Sequence, residues 1–314
     1  MPERSPVLVL AFNRPDLTAQ VLEAVRVGGG PDRELYVAID GPRGPRDADG
    51  CREVNELVES ITWCRPHVNR QPRNLGCRRG VQAGIDWFFT NVDRGILLED
   101  DTVPDPTFFP FMDELLGRYA NDPSVMMISG DDFTPADLRD PSTPVTASQL
   151  EQQDSYWFGR YAHIWGWATW RRAWSCNDPE LTEWPRLRGT RWLRDLGGST
   201  FARYWGDAFD GVLSGRTDTW DYAWQLAIWR AGGVIALPHG NLVTNLGFRS
   251  DATHTIEATA WQSALPTTPM DFPLRHPTNV AVDAARQAWT DAHVFGTDRS
   301  PWRRALSARL RRGR

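Results

Sequence analysis

The stretch Gly95-Ile96-Leu97-Leu98-Glu99-Asp100-Asp101-Thr102-Val103-Pro104 constrains this chain more than any other. Its apolar half reads as a buried strand, and the prolines at 104 and 106 forbid that strand from continuing. Three carboxylates at a strand end repel one another unless positive charge sits among them. A hard divalent cation with oxygen ligands meets that need, and a diphosphate can supply the remaining ligands. The implied site lies at the carboxyl edge of a sheet. The competing reading is a solvated acidic turn. Alternation along an extended strand predicts that Glu99 and Asp101 point to one face and Asp100 to the other.

The residues before this motif alternate in period. Val7 to Phe12 and Leu35 to Ile39 are continuous apolar runs, and an extended stretch lies near Pro66–Arg70. Between them, Leu17, Val21 and Val25, then Val54, Leu57, Val58 and Ile61, recur at helical spacing; Cys77, Val81, Ile85 and Phe88 follow on a third helix. Strand–helix alternation of this kind predicts an α/β fold with a mostly parallel central sheet and right-handed crossovers. After Asp101 a helix at Phe108–Tyr119 leads to a strand at Val125–Ser129. Residues 161–232 are tryptophan-rich and read as mainly helical, with Trp167, Trp170 and Trp174 on one helical face that suits a core better than a sugar platform. Residues 233–280 are irregular. The expected organisation is one domain over 1–275, with a nucleotide half (1–102) and an acceptor half (103–275), then an arm and basic tail over 276–314.

Charge and composition narrow the function classes. The chain has no lysine, so all 35 basic residues are arginine, and lysine Schiff bases and a P-loop are excluded. Four cysteines without Cys-x-x-Cys spacing fit reduced thiols. Residues 1–298 hold 28 arginines against 40 acids, a net of −12, and nothing points to nucleic acid. The seven remaining arginines crowd into 299–314 with Trp302, Leu306 and Leu310 at helical spacing, the pattern of a peripheral contact with an anionic membrane or of a solvated terminus. No apolar run has spanning length and Met1-Pro2-Glu3-Arg4 lacks a signal-peptide pattern, so the expected address is the cytoplasm.

A dinucleotide fingerprint is absent: the turn after the first strand reads Ala11-Phe12-Asn13-Arg14, and Gly28-Gly29-Gly30 follows the first helix instead of preceding it. What stands in its place is an arginine after strand one and Asp40 after strand two. Such a pair can read a base edge, the carboxylate taking an imide N–H and the guanidinium a carbonyl or phosphate oxygen. Before Gly41-Pro42, Asp40 equally suits a turn or cap.

Taken in order, Pro6–Arg14, the strand ending in Asp40, Val68–Gly76, Leu98–Phe109, Asp122–Ser129, His163–Trp167, Trp220–Tyr222 and Gly247–His254 resemble GT-A glycosyltransferases of the N-acetylglucosaminyltransferase I type and the bacterial hemolysin-like sugar transferases related to them. The resemblance covers roughly residues 6–256. It implies a GT-A (Rossmann-like) fold and a metal-dependent, inverting transfer from a nucleoside-diphosphate sugar, UDP being the expected nucleotide, to a hydroxyl acceptor.

By the same resemblance, Arg14 and Asp40 hold the base, and Asp101 binds Mn²⁺ or Mg²⁺ directly. Glu99 and Asp100 hold ribose or metal-bound water, and Arg78 or Arg79 contacts phosphate. Asp221 matches the general base, a role compatible with capping the helix it opens. Asp131 and Asp132 stand where the family has Asn-Asp; either would bind sugar hydroxyls, with Asp132 the reserve base. Trp165, Gly166 and Trp167 are acceptor-side candidates, and Thr253 and His254 belong to a loop expected to order over the diphosphate. Two alternatives are a sugar nucleotidyltransferase, which would want a glycine-rich basic loop after strand one, and a non-catalytic carbohydrate-binding protein.

Overall fold

The computed structural model describes residues 3–30, 32–135, 138, 153–248 and 265–297. Its centre is an eight-stranded sheet in the order β3-β2-β1-β4-β8-β6-β9-β7. The strands are β1 (Val7–Ala11), β2 (Leu35–Ile39), β3 (His67–Arg70), β4 (Arg94–Glu99), β6 (Val125–Ser129), β7 (Tyr156–Gly159), β8 (Trp167–Trp170) and β9 (Val234–Pro238). Two short strands, β5 (Thr102–Pro104) and β10 (Val243–Asn245), form a separate antiparallel pair.

The mostly parallel sheet expected from the sequence is corrected to a mixed one. β3, β2, β1 and β4 are parallel neighbours, but β8 runs antiparallel between β4 and β6, and β7 runs antiparallel to β9. The helical face assigned to Trp167, Trp170 and Trp174 is likewise corrected. Residues 167–170 form β8, so Trp167 and Trp170, an odd number of residues apart, enter opposite faces of the sheet. Only Trp174 is helical, closing the single turn α5 (Arg171–Trp174). A short run of bulky aromatic residues fits a buried strand as well as a helix, and pairing on both edges decides it.

Helices cover both faces, which is why β1 and β2 are buried along their whole length. On one face α1 (Pro15–Ala24), α2 (Pro45–Glu59) and α4 (Phe108–Arg118) pack on Val7, Val9, Val37, Ile96 and Leu98. On the other, α3 (Gly76–Asn91) and α9 (Asp221–Arg230) meet Leu8, Leu10, Tyr36 and Leu97. α1 and α2 both begin with proline, whose fixed φ suits a first helical turn.

Three further helices, α6 (Trp184–Leu187), α7 (Trp192–Gly197) and α8 (Ser199–Leu213), enclose a satellite core around Trp184, Trp205, Phe209 and Trp229. Residues within the expected C-terminal arm are packed onto the body as α10 (Ala284–His293). There the Asp283 amide donates to the Phe158 carbonyl, and Arg286, Gln287 and Thr290 are buried. Among the described residues no helix is long and apolar enough to cross a membrane. The basic segment 299–314 lies outside the described residues.

Candidate active site

The strand order reverses between β1 and β4. From β1 the chain moves outward through β2 to β3, then returns to β4 on the other side of β1. Open α/β sheets gather ligands at that crevice, beyond the carboxyl ends of the strands. Register brings the two ends level: Leu10 lies beside Glu99, so Phe12–Arg14 and Asp100–Asp101 leave the sheet side by side. A cleft of about 940 Å³ opens there, within the range of small-molecule sites.

The acidic turn does not keep the strand's alternation. β4 ends at Glu99, where the Thr102 hydroxyl donates to the Glu99 carbonyl at 3.0 Å and closes a turn. Once the pleat is lost, Asp100 and Asp101 converge instead of diverging, which corrects the expectation of opposite faces. Both accept hydrogen bonds from Arg14: Nη2 reaches Asp101 Oδ2 at 2.8 Å and also bonds Asp100 Oδ1, while Nε lies 3.3 Å from Asp100 Oδ2.

Burial opposes the Arg14 charge, but the two aspartates outweigh it and raise its pKa. One guanidinium is not enough for three carboxylates. Burial, then Asp101 and Asp100, push Glu99 up to about 8; burial pushes Asp100 up to about 6 despite Arg14. Asp221 adds to the negative field at Glu99.

Asp40 lines the cleft and is already committed to local structure. Its carboxylate accepts the amides of Gly41 at 2.9 Å and Leu75 at 3.0 Å, and the side-chain amide of Asn74 at 2.9 Å. It thereby satisfies backbone donors at the head of α3, where no side chain of the helix itself supplies a cap. Burial raises its pKa, and the backbone amides of Leu75, Gly41 and Gly76 offset this only in part. Asp221, also in the cleft lining, is the first residue of α9, where helix amides stabilise negative charge, and the Thr219 hydroxyl donates to it. Trp165 lines the same cleft.

The fold therefore gathers Arg14, Asp40, Glu99, Asp100, Asp101, Trp165 and Asp221 around one space. Other residues singled out from the sequence sit elsewhere. Arg78 donates to the Pro179 carbonyl and pairs with Glu180 at 3.1 Å, away from the cleft lining, and Arg79 is exposed outside that lining. Asp132 is buried among Thr134, Trp157 and Arg286, and burial raises its pKa. Asp131 is fully buried and accepts the Trp165 amide at 3.1 Å, so it supports the wall from behind. Gly166 occupies a turn at φ +65°, its carbonyl accepting the Gly130 amide. Trp167 is buried and stacked on Trp220 with ring centroids 5.6 Å apart, so its ring is core and cannot face a substrate. Thr253 and His254 lie outside the described residues.

Several lining residues were not singled out one by one. Asn69, Gln71 and Asn74 belong to the Val68–Gly76 segment, whereas Arg43, Asp218 and Asn245 carried no legible signal; all six face the cleft. Arg43 lies over the Phe12 ring at 5.0 Å and pairs with Asp47. Asn245 arrives because β10 pairs with β5, setting Asn245 beside Thr102. That pairing also brings the Leu246 amide to the Asp101 carbonyl at 2.8 Å.

Among the described residues no three His, Cys, Asp or Glu side chains form a group that holds a metal ion by itself. A full cage is not required of a cation that shares a diphosphate, which needs one or two carboxylates and otherwise phosphate and water oxygens. Asp101, with hard oxygen donors at the cleft floor beside crowded carboxylates, fits that lesser demand.

No protein-family model matches this sequence, and no curated protein matches it. Among solved structures, the chain is similar to the mannosyltransferase PcManGT from Pyrobaculum calidifontis, in complex with GDP-Man and Mn²⁺, at TM-score 0.37 and 14% identity over 56% of this chain and 48% of that one. It is also similar to the apo structure of the bifunctional glycosyltransferase WbbM, at TM-score 0.31 and 11% identity over 75% of this chain and 46% of that one. The chain thus spans less than half the length of either.

Proposed function

We propose that this protein is a GT-A glycosyltransferase that moves a hexosyl or N-acetylhexosaminyl group from a nucleoside-diphosphate sugar, with UDP the favoured nucleotide, to a hydroxyl acceptor with inversion. The observation that carries this reading is the convergence on one cleft of Arg14 and Asp40 from beyond strands β1 and β2, the Glu99–Asp101 turn from β4, and Asp221 from the start of α9. The catalytic unit is residues 1–275, nucleotide half first, with α10 of the C-terminal arm packed against it. A cytoplasmic address, with the basic tail against an anionic membrane surface, completes the reading.

Arg14, Arg43 and the side-chain amides of Asn69 and Gln71 offer donors along the nucleotide wall. Asp101 would hold Mn²⁺ or Mg²⁺, which supplies charge stabilisation to a departing diphosphate. Asp221 accepts the proton of the acceptor hydroxyl as it attacks the anomeric carbon, and the Thr219 hydroxyl orients that carboxylate. Trp165 gives the acceptor side a flat apolar surface. Burying the donor between these walls keeps water from competing with the acceptor.

Incubation with a panel of UDP- and GDP-sugars and Mn²⁺ tests the assignment. A transferase releases nucleoside diphosphate slowly from its own donor even without acceptor. Pyrophosphate formed from a nucleoside triphosphate would make it a nucleotidyltransferase, and no turnover with retained sugar binding would make it a carbohydrate-binding protein.

A further inference from the structure

The guanidinium of Arg14 sits where a cation on the acidic turn would have to act. Its Nη2 bonds both aspartates, and Nε takes the second oxygen of Asp100. The three side chains are only 20%, 6% and 14% exposed for Arg14, Asp100 and Asp101. A divalent cation bound to Asp101 at about 2.0–2.6 Å would lie within a few ångströms of this guanidinium, with little water between them, and the two positive charges would repel strongly. Asp101 Oδ2 is also the oxygen that faces Gly247, so its free approaches are few.

We propose that Arg14 is a built-in stand-in for the cation: it clamps Asp100 and Asp101 together until a nucleotide draws the guanidinium away, so that cation binding waits on nucleotide binding. The inference rests on the nucleotide-sugar reading above. Arg14 leaves the end of β1 on the nucleotide wall beside Phe12 and Asn13, so base carbonyl or phosphate oxygens entering there offer its planar fork an alternative partner. Release uncovers both carboxylates together. Coupling of this kind is reciprocal, so a bound cation must also strengthen nucleotide binding.

Calorimetry with Mn²⁺ alone, UDP alone and the two together, on the wild type and Arg14→Gln, tests this. The wild type is expected to bind Mn²⁺ at least ~10-fold more weakly alone than with UDP. In Arg14→Gln, Mn²⁺ alone should bind ~10-fold more tightly than in the wild type, narrowing the gap to what the diphosphate's own oxygens supply. If Arg14→Gln does not fold by circular dichroism, Arg14→Met carries the test in the same direction, because an uncharged side chain of similar reach removes the positive charge that repels the cation. A folded variant whose affinity for Mn²⁺ alone equals that of the wild type overturns the clamp while leaving the nucleotide reading in place. Failure of the wild type to bind Mn²⁺ with UDP at all overturns both.

Discussion

Gly247 faces Asp101 so closely that a methyl group in place of its hydrogen would stand 2.2 Å from the Asp101 Oδ2 oxygen. The contact follows from the β5–β10 pairing, which ties the segment leading into residues 249–264 to the acidic turn. Gly247→Ala must therefore push the carboxylate or the strand away. We expect UDP–Mn²⁺ affinity to fall by ~10-fold or more with the melting temperature nearly unchanged, since the added methyl group disturbs a cleft edge and no core. Paired calorimetry and thermal unfolding check this; an unchanged affinity would detach the segment from the site.

Two carboxylates should separate binding from chemistry. Asp101→Ala is expected to abolish cation-dependent donor binding. Asp221→Asn should keep donor binding while turnover drops by ~10²–10⁴, because a neutral amide cannot accept the acceptor's proton. Titration of UDP with Mn²⁺ and steady-state rates on the same preparations read both. Unimpaired turnover in Asp221→Asn would exclude that carboxylate as the base.

Stability of the cation-free protein should fall as pH rises from about 5 to above 8. Glu99 is raised from 4.5 to about 8 and Asp100 from 3.8 to about 6 in the folded state. Between those values the native state holds protons that the unfolded chain has lost, so raising the pH favours unfolding. Denaturant melts at pH 5.5, 7 and 8.5 should show the decline, and Mn²⁺ with UDP should reduce it by supplying charge. A midpoint that climbs over this range would mean the turn is already neutralised.

Asp40 should matter to α3 as well as to ligand. Asp40→Ala strands the amides of Gly41 and Leu75 and the Asn74 side chain, at a cost of about 1–3 kcal/mol. Asp40→Asn retains an acceptor and should recover part of that loss. Amide exchange localised to residues 74–80 measures it, and protection equal to wild type in Asp40→Ala would show the contacts to be dispensable.

Asp132 should behave as a structural group. It pairs with Arg286 inside the protein, where both side chains are nearly inaccessible. Arg286→Ala leaves that carboxylate buried without its cation, and about 3–5 kcal/mol of stability should go with it. Protein that remains folded at low temperature should show a transfer rate close to that of the wild type. A rate loss far exceeding the loss of folded protein would return Asp132 to the chemistry.

Much of the first half of the cleft lining was written locally. Val7–Ala11, Leu35–Ile39 and Arg94–Glu99 announce themselves as buried strands, and the residues that follow them, Arg14, Asp40 and the Glu99–Asp101 turn, become part of the cleft lining. Strand ends converge wherever a sheet reverses its order, so a local pattern is enough to nominate them. Asp221 reached the same cleft, but only a likeness in order pointed to it, since an aspartate opening a helix is commonplace.

Other features depended on partners far along the chain. Trp167 and Trp170 became strand residues because β4 and β6 flank them, and periodicity could not foresee pairing to segments about forty and seventy residues upstream. Asn245 and Gly247 entered the site through a two-stranded pairing across the chain. Asp132 left it because α10 folded back to supply Arg286. The sequence by itself determined where carboxylates and strand ends fall, since these depend on neighbours within a few residues. Which of those carboxylates meets a guanidinium, a helix or open space was decided only by tertiary structure, because burial and charge pairing are properties of the assembled surroundings.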